Sequence, residues 1–533
     1  MFVTFRPKAR AFGLLLSALL VVCSVSSARA ESFAFRQAIA EAAADNTDIL
    51  EFYVDRDFAA IWTAPNGVMR RAALLRALEH APLHGLPAER YDAAALTTAF
   101  ADATSERTRG FAEVAAARMF LDYAQDVHGG ALVASRVDEG IVRAQPRQPI
   151  GDLLLASAEA DPVLLMESLP PQGTRYTRLM KARLDLQRSI AKGGWGEPVP
   201  GGKLELGDSG SRVVALRNRL IRMGYLAPTA RAEFDDALEA AVIRFQADHG
   251  LAQDGVAAKV TLQEVNVSAR DRLKSVLVGL ERERWMNREL GDRRIMVNIA
   301  DFHARVIEDE EEVFRTRVVV GKNTSDRRTP EFSDEMDHMV INPTWNVPRS
   351  IATKEYLPKF QSDPNAHSYL RLVDASGRTV SRDGLDFAQF TPRNFPFDIK
   401  QPPSRSNALG LVKFMFPNEH NIYLHDTPAK SLFGRETRAY SHGCVRVADP
   451  FDFAYELLSD QEADPVGAFK STLATGKETW VYLDNPLPVH LYYQTAFAPA
   501  KGQVQYRRDI YGRDAKIWKA LSEAGVVLPS FDS

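Results

Sequence analysis

From Glu31 to about Lys192, apolar residues return every three or four positions. The runs Met69–His80, Arg107–His128 and Tyr176–Ala191 carry Leu and Ala at that spacing among Arg and Glu, which predicts amphipathic helices. Pro and Gly interrupt the pattern at 82–87, 146–151 and 170–173. A helical scaffold domain over 31–192 is expected. After a Gly- and Pro-rich linker, Val213, Leu216, Leu220 and Met223 mark one helix stopping at Gly224. Ala237, Ala241, Val242 and Phe245 mark another, ending near Gly250, so 203–267 reads as a small helical module. Arg270–Arg293 reads as a charged connector helix carrying Leu273, Leu277, Leu280 and Trp285.

Near residue 293 the period falls to two. Strands are expected at Ile295–Ile299, Ala304–Ile307, Val313–Val320, Val340–Trp345, Leu411–Phe416, Ile422–Leu424, Thr479–Leu483 and Val489–Thr495. Helices are expected at Pro450–Ser459 and within Asp509–Leu521. The polar stretch 349–410 is too long for an ordinary connection in a compact β domain, and a lid over an active site is the favoured reading. The fold class is therefore multidomain α+β, with a mainly β domain over 294–533.

The 533-residue length calls for two to four compact units, and a net charge of −3 gives no basic excess pointing to nucleic acid. Arg6, Lys8 and Arg10, the apolar run Ala11–Val25 and Ala28-Arg29-Ala30 together read as a secretory signal peptide. An uncleaved anchor is one alternative. A lipoprotein anchored at Cys23 is another, disfavoured because Val22 stands where a small residue is wanted. No later segment holds about eighteen unbroken apolar residues, so an exported chain that does not span the membrane is expected.

Cleavage after Ala30 removes one of two cysteines and leaves Cys444 without an intramolecular partner. Cys444 lies in Ser441-His442-Gly443-Cys444-Val445-Arg446, beside groups expected to lower its pKa, which favours a reactive thiol over an inert buried one. His425, at the end of an apparent strand, can serve as its base, and Asp426 can orient the imidazole by side chain or by backbone carbonyl. Gly443 lets substrate approach, and the Cys444 amide, with or without that of Gly443, is placed for an oxyanion. Arg446 either holds a substrate carboxylate or braces the turn. A zinc site of His425, Asp426, His442 and Cys444 is disfavoured, because adjacent residues rarely converge on one ion. His80, His84 and His128 lack ligand spacing. No cofactor or metal is expected.

Leu206–Gly210, Leu216–Leu220, Met223–Leu226, Phe234 to Gln246 and Asp254–Val256 resemble the peptidoglycan-binding type 1 domain. His425 and Ser441–Arg446 are similar to the motif of the L,D-transpeptidase family with a YkuD-type catalytic domain. Asn342–Pro348, Asn407–Gly410, Lys413-Phe414, Phe416–Asn418 and Ile422–Pro428 resemble its large YcbB-like subgroup, which adds a helical scaffold and a capping subdomain inserted in the catalytic domain. Ser404 departs from the subgroup's usual Gly. Asp426 replaces the Gly or Ser of smaller members, which implies that the carbonyl at 426 orients His425.

The resemblance implies a periplasmic enzyme in which Cys444 attacks the third residue of a tetrapeptide stem and expels D-Ala, with His425 as base. A second stem's amine then resolves the thioester into a 3–3 cross-link. It also implies that His442 shapes the turn and that Arg446, Tyr423 and Trp345 touch substrate. Peptidoglycan is the expected partner, with other cell-wall enzymes and outer-membrane proteins as further candidates. Two alternatives remain: an L,D-carboxypeptidase, with water resolving the thioester, and a non-catalytic wall-binding scaffold. Papain-like and NlpC/P60 enzymes place Cys before His, the reverse of the order here, and sortases space the residues around the thiol differently.

Overall fold

The computed structural model describes residues 31–528, so the signal-peptide reading and Cys23 lie outside the described residues. Among them, no helix is long and apolar enough to cross a membrane. The scaffold helices form where the periodicity puts them, including Val68–His80, Glu106–Gly129 and Thr174–Ala191. Their stripes meet in a core of Phe35, Ile39, Trp62, Leu74, Phe120 and Tyr123. One carboxylate is sunk in it: Glu113 accepts from the Tyr53 hydroxyl (2.9 Å) and from the amides of Ile61, Trp62 and Thr63, which satisfies its burial.

The small module holds three helices, Ser211–Arg222, Asp236–Asp248 and Lys259–Val265, around Leu216, Leu220, Phe234, Val242 and Phe245.

The helix Ala269–Trp285, expected to be a connector, is a central core element. Leu273, Leu277, Leu280 and Trp285 pack with the scaffold helix Thr174–Ala191 and the C-terminal helix Arg513–Glu523. Its charges misled because they are neutralised inside the protein. Arg284 pairs with Glu281 (2.5 Å), and Arg282 bridges Glu331 and Asp514 (both 3.0 Å). Arg513 adds a second cation to Glu331 (3.1 Å), and Lys516 reaches Asp138 of the scaffold (2.7 Å). The chain's C-terminal segment therefore ties the scaffold to the β domain.

Strands β1 (Arg293–Asn298), β2 (His303–Glu308), β3 (Glu311–Gly321) and β4 (Phe332–Ile341) open that domain. Then come β5 (Trp345–Asn346), β6 (Arg371–Val373), β7 (Thr379–Val380) and β8 (Asp398–Gln401). They are followed by β9 (Val412–Met415), β10 (Leu424–His425), β11 (Ala439–Ser441), β12 (Val445–Val447) and β13 (Thr479–Tyr492). The main sheet runs β11-β3-β12-β10-β9-β4-β13-β1-β2, with β2 and β3 also paired. The two late strands read from the sequence are one, β13, whose pairing slips between Tyr482 and Leu487 around Pro486. The helix Pro465–Ala474, not anticipated, packs Phe469 into the core.

The stretch 349–410 is folded. β5-β8-β6-β7 make a small sheet over a core of Trp345, Leu357, Phe360, Leu372, Phe387 and Ile399. Trp345, read as the end of a main-sheet strand, belongs to this cap, because the chain leaves β4 at Asn342 in a left-handed turn (φ 53°). Ser404 has no left-handed backbone, so the site does not require the glycine that it replaces.

Candidate active site

β10 lies between β12, parallel to it, and β9, antiparallel to it. Leu424 pairs with Val445 and Phe414, and His425 with Arg446 and Lys413. One step back, Tyr423 lies beside Cys444, and its carbonyl accepts from the Val445 amide (3.1 Å). Because Leu424, Val445 and Phe414 point into the core, alternation puts Tyr423, His425, Cys444 and Arg446 together on the opposite face. That face lies against the cap. Trp345, Tyr356, Tyr423, His425, His442, Cys444 and Arg446 line one cavity of about 800 Å³.

His425 is buried, and its Nδ1–H donates to the Asp426 carbonyl (2.5 Å), which leaves Nε2 as the free base. The Asp426 carboxylate is spent elsewhere. It accepts from the amides of Leu411 (2.9 Å) and Thr427 (2.6 Å) and from Lys430 Nζ (2.7 Å). Asp426 thus orients the ring by its backbone and braces the turn by its side chain.

The thiol of Cys444, half-buried and free, donates to the Asn421 carbonyl (3.6 Å). Burial pushes it up to about 11, against the lowering effects of the Tyr423 amide and hydroxyl, Arg446 and its own amide. Burial, then Arg446, pushes His425 down to about 3. The expectation that neighbours hold the thiol low is thereby corrected: desolvation outweighs them, and the resting pair is neutral thiol and neutral imidazole.

Gly443 sits at φ 121°, where side chains are disfavoured, and a Cβ there would come within 3.1 Å of Ile422 Cδ1. Its amide is not free for an oxyanion, because it donates to Ser441 Oγ (3.2 Å), whose own hydroxyl donates to the Cys444 carbonyl (2.5 Å). That leaves the Cys444 amide as the candidate oxyanion donor. Thr329 donates to the Gly443 carbonyl (2.7 Å) and accepts from the Gly321 amide, and Tyr511 donates to the Gly321 carbonyl (2.6 Å). Ser441, Thr329 and Tyr511 therefore hold the turn. Ser441 stands in the motif, but nothing in the sequence around Thr329 or Tyr511 marks them.

Arg446 is half-buried, and its Nε has no hydrogen-bond partner among the described residues, so the cation faces the cavity unpaired. Tyr423 is held well above its ordinary range, first by burial and then by Cys444, and its hydroxyl lies near Trp345. His442 donates Nε2–H to Glu355 of the cap (2.6 Å). Glu355 also accepts from Arg327 (2.8 Å), and this cap contact was not foreseen. Among the described residues, no cluster of His, Cys, Asp or Glu could hold a metal ion.

Residues 292–482 match the "L,D-transpeptidase catalytic domain", residues 47–182 the "Scaffold domain" and residues 209–264 the "Putative peptidoglycan binding domain". The chain is 37% identical over 227 residues to a Haemophilus influenzae protein named "Putative L,D-transpeptidase". That stretch covers 42% of this chain and 45% of the relative, under half its length. Two solved structures are also similar. An L,D-transpeptidase fragment from Xylanimonas cellulosilytica is 14% identical, covering 56% of this chain and all of that one, at a TM-score of 0.17. An L,D-transpeptidase from Stackebrandtia nassauensis is 15% identical, covering 56% and 97%, at 0.22.

Proposed function

We propose that this chain, which carries an L,D-transpeptidase catalytic domain over residues 292–482 and a peptidoglycan-binding domain over 209–264, is an exported, periplasmic enzyme that forms 3–3 cross-links between peptidoglycan stems. The observation that carries the reading is the unpaired Arg446 guanidinium beside Cys444 and His425 on one sheet face: a nucleophile, a base and a cation for a substrate carboxylate share one cavity.

As the tetrapeptide donor seats, its carboxylate pairs with Arg446. The Cys444 proton moves to His425 Nε2 as Sγ attacks the carbonyl carbon of the third residue, and the resulting oxyanion accepts from the Cys444 amide. Collapse breaks the C–N bond to D-Ala, whose amine takes the proton from His425 and leaves. The side-chain amine of a second stem attacks the thioester, passes a proton to His425 and expels the thiolate. That thiolate recovers its proton from the imidazolium. A neutral resting pair fits this sequence, since the charges form only alongside the attack.

Mass spectrometry of products from purified tetrapeptide muropeptides tests the proposal. Dimers lacking one D-Ala are expected. Shortened monomers alone would make the enzyme a carboxypeptidase, and no D-Ala release would reduce the chain to a wall-binding scaffold.

A further inference from the structure

The chain between β3 and β4 reaches the catalytic turn and the scaffold within three residues. Thr329 donates from Oγ1 to the Gly443 carbonyl (2.7 Å). Its amide donates to the Tyr511 hydroxyl (3.3 Å), and its carbonyl accepts from Arg513 Nη2 (3.2 Å). Two residues on, Glu331 joins the scaffold through its backbone. Its amide donates to the Gly140 carbonyl and its carbonyl accepts from the Val142 amide (both 2.8 Å), a parallel bridge with Ile141. Arg513 Nη2 also donates to the Gly140 carbonyl (3.2 Å), so one guanidinium spaces Thr329 from the scaffold. These groups are closed off from solvent: Thr329 is fully buried, and Arg513 and Glu331 are 1% and 2% exposed.

The bond from Thr329 falls on a telling atom. The Gly443 carbonyl and the Cys444 N–H are the two ends of one planar peptide unit, so holding the first fixes the direction of the second. A hydrogen bond accepted by the carbonyl also polarises the N–H opposite. Gly443, at φ 121°, has the backbone freedom that makes such a hold necessary. The Thr329 hydroxyl adds nothing to the contact with the scaffold, and joining the two domains does not require it.

We propose that the scaffold domain aims the oxyanion donor: the ledge Gly140–Val142 sets the place of residues 329–331, and Thr329, as a positioning residue, passes that place to the Cys444 amide. The inference rests on the transpeptidase reading, because an oxyanion forms only when Cys444 attacks a carbonyl. A donor aimed at the transition state acts on kcat and leaves substrate affinity nearly alone.

Kinetics of the full chain with tetrapeptide donor test this, beside thermal melting. Thr329→Val, which keeps the shape and removes the hydroxyl, lowers kcat at least tenfold with KM within threefold, whereas Thr329→Ser keeps kcat within threefold. In the scaffold, a Cβ at Gly140 would collide with Arg513 Nη2. Gly140→Ala therefore also lowers kcat about tenfold, and the double variant loses no more than Thr329→Val alone. Should Gly140→Ala not fold, Arg513→Lys, which keeps the cation and loses the fork, replaces it. An unchanged kcat in Thr329→Val or in the scaffold-side variant, losses that multiply in the double variant, or a change confined to KM would overturn the proposal. Amide exchange across Ser441–Arg446 reads the coupling without turnover. The scaffold-side variant speeds it at least fivefold, and unchanged exchange overturns the proposal. If the wild type turns over no stem peptide, the transpeptidase reading fails, and exchange alone decides whether the scaffold holds the turn.

Discussion

Asp426 holds His425 by its backbone carbonyl (2.5 Å) and turns its carboxylate the other way, onto the Leu411 and Thr427 amides and Lys430. Where a buried carboxylate fixes the imidazole tautomer itself, its amide replacement lowers turnover about 10⁴-fold. Here Asp426→Asn should leave the acylation rate per folded molecule within about threefold and lower the melting temperature, because one acceptor oxygen is lost from a network worth about 1 to 3 kcal/mol. Stopped-flow acylation beside thermal melting separates the two effects.

Gly410 closes the same turn. It sits at φ 62°, and a Cβ there would fall 2.1 Å from Asp426 Oδ2. Gly410→Ala should therefore cost at least about 1 to 3 kcal/mol, from the left-handed backbone and the displaced carboxylate together. Denaturant titration measures the loss.

The thiol titrates at about 11 and the imidazole at about 3, so between those limits the site is uncharged at both. Only about one site in 10⁴ is a thiolate at pH 7. Alkylation of Cys444 by iodoacetamide should be slow at neutral pH and rise about tenfold per pH unit up to about 11. Acylation by substrate should stay flat between pH 5 and 9, without an inflection near 6.5. An inflection there would mark a thiolate–imidazolium pair instead.

The same burial acts on stability. His425 near 3, and His84 and His490 near 4, all lie below the ordinary histidine value. Between about pH 4 and 6.5 the unfolded chain binds more protons than the folded one, so stability falls as the pH is lowered through that window. Melting temperatures measured from pH 7 to 4 check the direction.

Glu355 joins the cap to the catalytic turn through His442 and to the loop after β3 through Arg327. Glu355→Ala should speed amide exchange across Ala352–Tyr356 and raise KM more than it lowers kcat, since the contact positions the cap and stands apart from the reacting atoms. Exchange mass spectrometry and steady-state kinetics read the two effects.

The proximity of Cys444 and His425 was legible because a lone thiol, flanked by His and Arg and following a strand that ends in His, points to a site there, and the structure puts the two on one sheet face in one cavity. The parts that were not legible depend on contacts distant in sequence. Thr329 and Tyr511 reach the turn across the fold, and nothing near them in the chain marks that use. The cap strands are two to four residues long, too short to display alternation, so Trp345 was assigned to the wrong sheet. Periodicity located the helix Ala269–Trp285 but not its depth, because Glu281, Arg282 and Arg284 find opposite charges inside. The thiol's pKa was expected low from its neighbours, and only the enclosure of the site shows burial to be the larger effect.

Intact-protein mass spectrometry after brief exposure to tetrapeptide donor tests the central claim most directly. The account predicts an adduct of the donor less D-Ala, mapped to Cys444, absent in Cys444→Ala and formed at least a hundredfold more slowly in His425→Ala. D-Ala release that persists in Cys444→Ala, or an adduct on any other residue, would contradict it.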